Sequence, residues 1–127
     1  MFTSEERAHL RSNLLEDAAR DCRISGAAIT GSRAIEQEDQ WSDIDLAFGV
    51  VDAAEVTSVL SDWTARMYDR HLALHHLDLM SGAWIYRVFL LPSTLQVDLA
   101  FAPGTEFRAL APTFRRRLDP AAQIISI

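Results

Sequence analysis

Asp43 and Asp45 flank a single isoleucine at the start of a strand-like run, Asp43-Ile44-Asp45-Leu46-Ala47-Phe48-Gly49-Val50. Strand alternation puts both carboxylates on one face and turns Ile44, Leu46 and Phe48 into a core. Two ionised carboxylates held side by side repel, and a cation between them relieves the repulsion. Magnesium is the natural cation, because it prefers oxygen ligands and commonly shares its site with phosphates. The same spacing also fits a strand edge whose aspartates merely face water. A third acid, Asp98, interrupts the apolar run Leu95-Gln96-Val97-Asp98-Leu99-Ala100-Phe101. A buried carboxylate without a partner is costly, so Asp98 calls for a metal, a basic group or water. If its strand neighbours that of Asp43 and Asp45, three carboxylates converge on one face. Metal-assisted phosphoryl-type transfer needs that arrangement.

A second feature is suited to anions. Thr30-Gly31-Ser32-Arg33 follows a strand-like segment and opens a predicted turn of helix. Gly31 lets backbone approach a bulky anion, and free N–H groups at a helix start favour phosphate oxygens. Ser32 adds a hydroxyl donor and Arg33 a fork of cationic donors. A simple turn fits the same residues.

The elements that must carry these residues follow from periodicity. Ser4, as an N-cap, and Glu5 and Glu6 in a first turn open a helix over 4–22, with Leu10, Leu14, Leu15 and Ala18 as its apolar stripe. Strands are predicted at 24–30, 43–50, 73–79, 84–91 and 95–101. A second long helix spans 52–70, burying Val56, Val59, Leu60, Trp63 and Met67. Pro92-Ser93-Thr94 is a compact connection that makes the last two strands an antiparallel hairpin. A turn of helix at 32–37 and a short helix around 105–118 complete the pattern. The sum is an α+β (two-layer α/β) fold, a mixed sheet of about five strands with helices packed on one face. All of 1–127 reads as one domain.

Hydrophobic residues make up 49% of the 127 positions and charged residues 24%, the balance of a soluble globular chain. No apolar run reaches about 18 residues, so no membrane span is expected. The first residues lack the basic start and apolar core of a signal peptide, and the single Cys22 cannot form an internal disulfide. A cytoplasmic location is the expectation. The net charge of −6 disfavours a nucleic-acid partner, which usually meets a basic stripe. Arg115-Arg116-Arg117 is the one dense basic run, and it reads as the solvated end of a helix.

Taken together, Gly31-Ser32, then Asp43-Ile44-Asp45, then Asp98 resemble the nucleotidyltransferase superfamily related to DNA polymerase beta. There a glycine-serine pair precedes an Asp-x-Asp pair, and a third acid follows. The wording Gly-Ser-Arg-Ala and Ser-Asp-Ile-Asp-Leu is especially similar to small bacterial members, the minimal and antibiotic-modifying nucleotidyltransferases. The resemblance covers about residues 24–102. It implies that Asp43 and Asp45 ligate two magnesium ions bridging a nucleoside triphosphate such as ATP. It implies that Asp98 completes the catalytic ion's shell and helps deprotonate an acceptor hydroxyl. Gly31 and Ser32 would hold the β- and γ-phosphates, with Arg33 assisting. The implied reaction is in-line attack of an acceptor oxygen on the α-phosphorus, with release of pyrophosphate. The acceptor is a small molecule or a protein.

Larger members of that superfamily carry a helical domain after the catalytic sheet. A minimal member, a piece of a longer protein and a chain completed by a partner helical subunit all fit. The apolar ending Gln123-Ile124-Ile125-Ser126-Ile127 suits pairing with a sheet edge or with a second copy in a homodimer. A non-catalytic, antitoxin-like nucleotide-binding subunit that keeps the fold is the alternative function. Among other residues, His75 and His76 point to opposite strand faces, which disfavours a shared metal. His71 reads as part of the loop closing the second helix. Arg87 is expected either to pair with Asp98 or to reach a phosphate. Core packing is the default for Trp41, Trp63 and Trp84, with Trp41, beside the aspartate pair, the one to test for stacking on a base, and Cys22 reads as a small buried hydrophobe.

Overall fold

The computed structural model describes residues 1–30, 39–113 and 123–126, with side chains through residue 109. Helix α1 spans Ser4–Arg20. Thr3, not Ser4, is its N-cap: Thr3 has extended backbone, and its Oγ1 accepts from the Glu6 N–H at 3.0 Å. Glu5 and Glu6 lie in the first turn, where acidic side chains favour the helix dipole. Strand β1 runs Ile24–Ile29 and β2 Ile44–Val50. A 3₁₀ turn at Ala53–Glu55, capped by the Asp52 carboxylate, leads into helix α2, Val56–His71. His71 is thus the last residue of that helix and not part of the loop after it.

Strands β3 (His75–Ser81) and β4 (Trp84–Leu90) form a hairpin closed by Gly82-Ala83. Gly82 has φ +60, as a two-residue hairpin turn demands of its first residue. Strand β5 runs Gln96–Pro103 and helix α3 Gly104–Thr113; β6, Gln123–Ser126, is the last strand.

The strands form one mixed sheet in the order β3-β4-β5-β2-β1-β6. Only β2 and β5 run parallel; the other neighbours are antiparallel. The α+β class and the β4–β5 hairpin are as the sequence predicts. A sixth strand joins the expected five, because the apolar C-terminal segment pairs with the β1 edge.

Alternation sorts the side chains between two layers. Ile44, Leu46, Phe48 and Val50 of β2 and Val97, Leu99 and Phe101 of β5 face Leu10, Leu14 and Ala18 of α1 and Val59, Leu60, Trp63 and Met67 of α2. Phe48 sits 4.9 Å from Trp63 and 5.4 Å from Phe101, ring centre to ring centre, so an aromatic cluster fills the middle of this layer. The two long helices therefore share one sheet face, as expected. Helix α3 departs from that expectation: Phe107 packs on the opposite face over Ala28, Ala47, Ala100 and Ala102. Small side chains there leave room for a helix to approach the strands closely.

Candidate active site

The parallel pairing of β2 with β5 places Asp45 directly beside Asp98. Both point away from the α1–α2 layer, onto the face that carries Ala47, Ala100 and α3. Their carboxyl groups lie within hydrogen-bonding reach of each other. Asp43 enters the strand two residues earlier, on the same face as Asp45 by strand parity. All three acids are half-buried.

This crowding has an electrostatic signature. Burial, then the hydrogen bond and charge of Asp98, then the charge of Asp43 push Asp45 up to about 8. Burial and the Asp98 charge also raise Asp43 above the usual carboxylate range. Gln96 donates from Nε2 to Asp98 Oδ1 at 3.0 Å, orienting one oxygen of that carboxylate. The donor set is all oxygen and carries surplus negative charge, which fits a hard divalent cation such as magnesium. Among the described residues no three Asp, Glu, His or Cys side chains close into a preformed metal cage.

Two arginines stand behind this site that the periodicity reading did not single out. Arg7 and Arg11 of α1 are only 2% and 6% exposed. Arg7 Nη1 donates to the Asp39 carbonyl at 2.6 Å and the Ser42 carbonyl at 3.1 Å. Asp39 in turn accepts from the Trp41 N–H and the Ser42 hydroxyl, so the turn entering Asp43 is pinned to α1. Arg11 lowers the Asp45 pKa through its charge, opposing the neighbouring carboxylates. The signal was present: 7, 11, 14 and 18 share the helix face of the apolar stripe, so arginines there had to be buried. On the far side, the Thr30 N–H donates to the Asp45 backbone carbonyl at 3.0 Å, so β1 ends beside this residue. Gly31, Ser32 and Arg33, the expected phosphate-binding residues, lie outside the described residues, as do the predicted turn of helix at 32–37 and Arg115–Arg117.

Other expectations change. Arg87 does not meet Asp98: it lies on the α2 side of the sheet, where it grips Asp78 with two 2.6 Å hydrogen bonds and reaches Thr64 Oγ1 at 2.9 Å. Its register partner in β5 is Leu99, one residue out of phase with the acid. His76 bonds the Tyr68 hydroxyl through Nδ1 at 2.6 Å. Trp63 and Trp84 are buried, while Trp41 is 61% exposed two residues before Asp43. Cys22 is exposed, not buried, because it sits in the turn between α1 and β1.

No family model matches the sequence, and no curated protein matches it either. Solved structures do. An aminoglycoside 6-adenyltransferase from Bacillus subtilis superposes with TM-score 0.60 at 16% identity, over 89% of this chain and 40% of that one. The polymerase core of TRAMP, an RNA surveillance complex, gives 0.58 at 18% identity, over 94% and 38%. Terminal uridylyl transferase 4 from Trypanosoma brucei with bound GTP gives 0.58 at 11% identity, over 93% and 41%. The chain spans about two fifths of the length of these proteins. All three are nucleotide-transferring enzymes or their cores by description, and what they share with this chain is its sheet and helices. The chain has the nucleotidyltransferase fold.

Proposed function

We propose that this chain is a magnesium-dependent nucleotidyltransferase that moves a nucleoside monophosphate from a triphosphate, ATP among them, to a hydroxyl on a small molecule or protein. The observation that carries the reading is the register pairing of Asp45 with Asp98 on one sheet face, with Asp43 two residues ahead. Asp43, Asp45 and Asp98 would hold two magnesium ions. Bound there, magnesium supplies charge neutralisation for the attacking and leaving oxygens of an in-line displacement. The Asp98 carboxylate, oriented by Gln96, takes the proton of the acceptor hydroxyl. The acceptor oxygen then bonds to the α-phosphorus as the bond from that phosphorus to the bridging oxygen breaks, and pyrophosphate leaves. Gly31, Ser32 and Arg33 would hold the β- and γ-phosphates, and exposed Trp41 would stack on the base. Arg7 is a positioning residue, acting on the turn that delivers Asp43. A cytoplasmic location fits this reading, and among the described residues no helix is long and apolar enough to cross a membrane.

A second reading is a non-catalytic nucleotide-binding subunit, antitoxin-like, completed by a helical partner or a second copy. One experiment separates the two. Purified chain is incubated with α-labelled nucleoside triphosphates, magnesium and candidate acceptors, beside an Asp43→Asn/Asp45→Asn double variant. Transfer of label by the wild type alone supports the enzyme. Magnesium-dependent triphosphate binding without transfer to any acceptor supports the binding subunit, and absence of both overturns the site.

A further inference from the structure

All twelve cationic side chains of this acidic protein are arginines, and four of them line one cleft. Arg20 closes α1, Arg23 leads into β1, and Arg66 and Arg70 stand on the last turns of α2. With Asp17, Asp21 and Cys22 they line an open cleft of about 380 Å³. The cleft belongs to the helix layer, whereas Asp45 and Asp98 occupy the opposite face of the sheet.

The charges in the cleft do not balance. Arg23 is fully engaged, with Nε and Nη2 on Asp21 at 2.9 Å and Nη1 on Asp62 at 2.7 Å. Asp21 also accepts from the Trp63 indole at 3.2 Å, so this carboxylate is spent on structure. Asp17 is then the one acid left for three guanidinium groups. It stands 3.9 Å from Arg66 and 4.0 Å from Arg70, beyond hydrogen-bond reach of both. Arg66 is held by stacking 4.8 Å over the Trp63 ring, and its Nη1 is buried without a hydrogen-bond partner. Arg20 has no ion pair or hydrogen bond among the described residues. Arg70 is the most open of the set, its side chain 66% exposed.

We infer that this cleft binds the phosphate group of a small phosphomonoester. Guanidinium forks donate paired N–H groups to tetrahedral oxyanions, and three forks around one acid leave donors for a dianion. The volume exceeds that of inorganic phosphate and falls at the lower end of the ~300–1,000 Å³ typical of small-ligand sites. The site sits on the other side of the sheet from the three aspartates.

Cys22 makes the test local, since it is the only cysteine, is exposed and lines the cleft. The rate of its modification by a thiol reagent is measured with inorganic phosphate, glycerol phosphate, acetate or chloride at matched ionic strength. At a ligand concentration about ten times its dissociation constant, site occupancy slows modification about tenfold by mass action. Slowing by both phosphates is expected in the wild type and in Asp45→Asn, and its loss is expected in Arg20→Gln/Arg70→Gln. Those two arginines are at the surface, so the variant keeps the core, and an unchanged melting temperature checks this. Equal slowing by chloride, or none by either phosphate, overturns the site. Slowing by phosphate that survives in Arg20→Gln/Arg70→Gln overturns it as well.

Discussion

Arg7 on α1 holds the Asp39 carbonyl at 2.6 Å, and through this bond a helix on one side of the sheet sets the approach of the chain to carboxylates on the other. Its guanidinium is 2% exposed and also bonds the Ser42 carbonyl. Arg7→Met keeps the apolar stem but removes both bonds. Charged hydrogen bonds are each worth about 1.5–3 kcal/mol, so a loss of about 3 kcal/mol in unfolding free energy is expected. Denaturant unfolding measures it. Weaker magnesium-dependent triphosphate binding in the surviving folded fraction would mark the positioning role, and unchanged binding would confine Arg7 to stability.

The carboxylate face predicts a specific pH dependence. Asp45 is raised from 3.8 to about 8 by burial and by Asp98, so the folded state holds its proton more tightly than the unfolded chain does. That contribution to stability is complete below pH 3.8 and is lost as the pH rises through about 8. Metal-free protein should therefore lose stability across this window, and magnesium should restore it. Asp45→Asn should flatten the Asp45 contribution and raise the metal-free melting temperature at pH 8 while abolishing transfer. A wild type whose metal-free melting curve is flat between pH 5 and about 8, after correction with the variant, would contradict the raised Asp45 carboxyl.

Asp21 has the opposite sign. Hydrogen bonding to Arg23 lowers it from 3.8 to about 2, and the Trp63 indole adds to the effect. Its contribution is present above pH 3.8 and disappears as the pH falls through about 2. Asp21→Asn should remove roughly 1–2 kcal/mol at neutral pH, after allowance for solvent around the pair. Acid unfolding followed by tryptophan fluorescence reports it directly, because Trp63 is a partner. A variant with an unchanged acid midpoint would remove Asp21 from the account.

Gly49 lets α3 lie on the sheet. A Cβ there would stand 2.8 Å from Phe107 Cβ and 2.8 Å from Ser25 Oγ, inside contact distance of both. Gly49→Ala should destabilise by about 1–3 kcal/mol through overpacking, although alanine has the higher strand propensity. Thermal melting of Gly49→Ala beside Gly49→Ala/Ser25→Ala separates the clash from propensity: removal of the Ser25 hydroxyl should recover part of the loss.

Much of this layout is legible in residue order because it depends on local periods. Alternation along β2 and β5 sorts Ile44, Leu46, Val97 and Leu99 from Asp45 and Asp98 before any partner strand is known. The 3.6-residue period likewise brings Leu14, Trp63 and Met67 into the core. What escapes is set by pairing at a distance. Arg87 is a polar residue near an acidic strand in sequence, but a one-residue phase places it on the α2 side with Asp78. Cys22 has the composition of a core residue and the position of a turn. Arg7 and Arg11 violate the apolar stripe, and for Arg7 the explanation is the distant loop whose carbonyls it bonds.

The side-by-side placement of Asp45 and Asp98 also has a consequence for how the molecule comes into being. Their strands are parallel neighbours, yet α2 and the whole β3–β4 hairpin lie between them along the chain. Hairpins and helices form early because their partners are close in sequence, while a pairing across such a long loop must wait for its closure entropy to be offset. Asp98 is therefore a stranger to Asp43 and Asp45 during most of folding and joins them only as the central pairing of the sheet closes. A partly folded chain lacks this cluster of acids, so the divalent-cation affinity proposed for these residues would arrive together with the finished sheet, and magnesium dependence of the final folding phase would time that event.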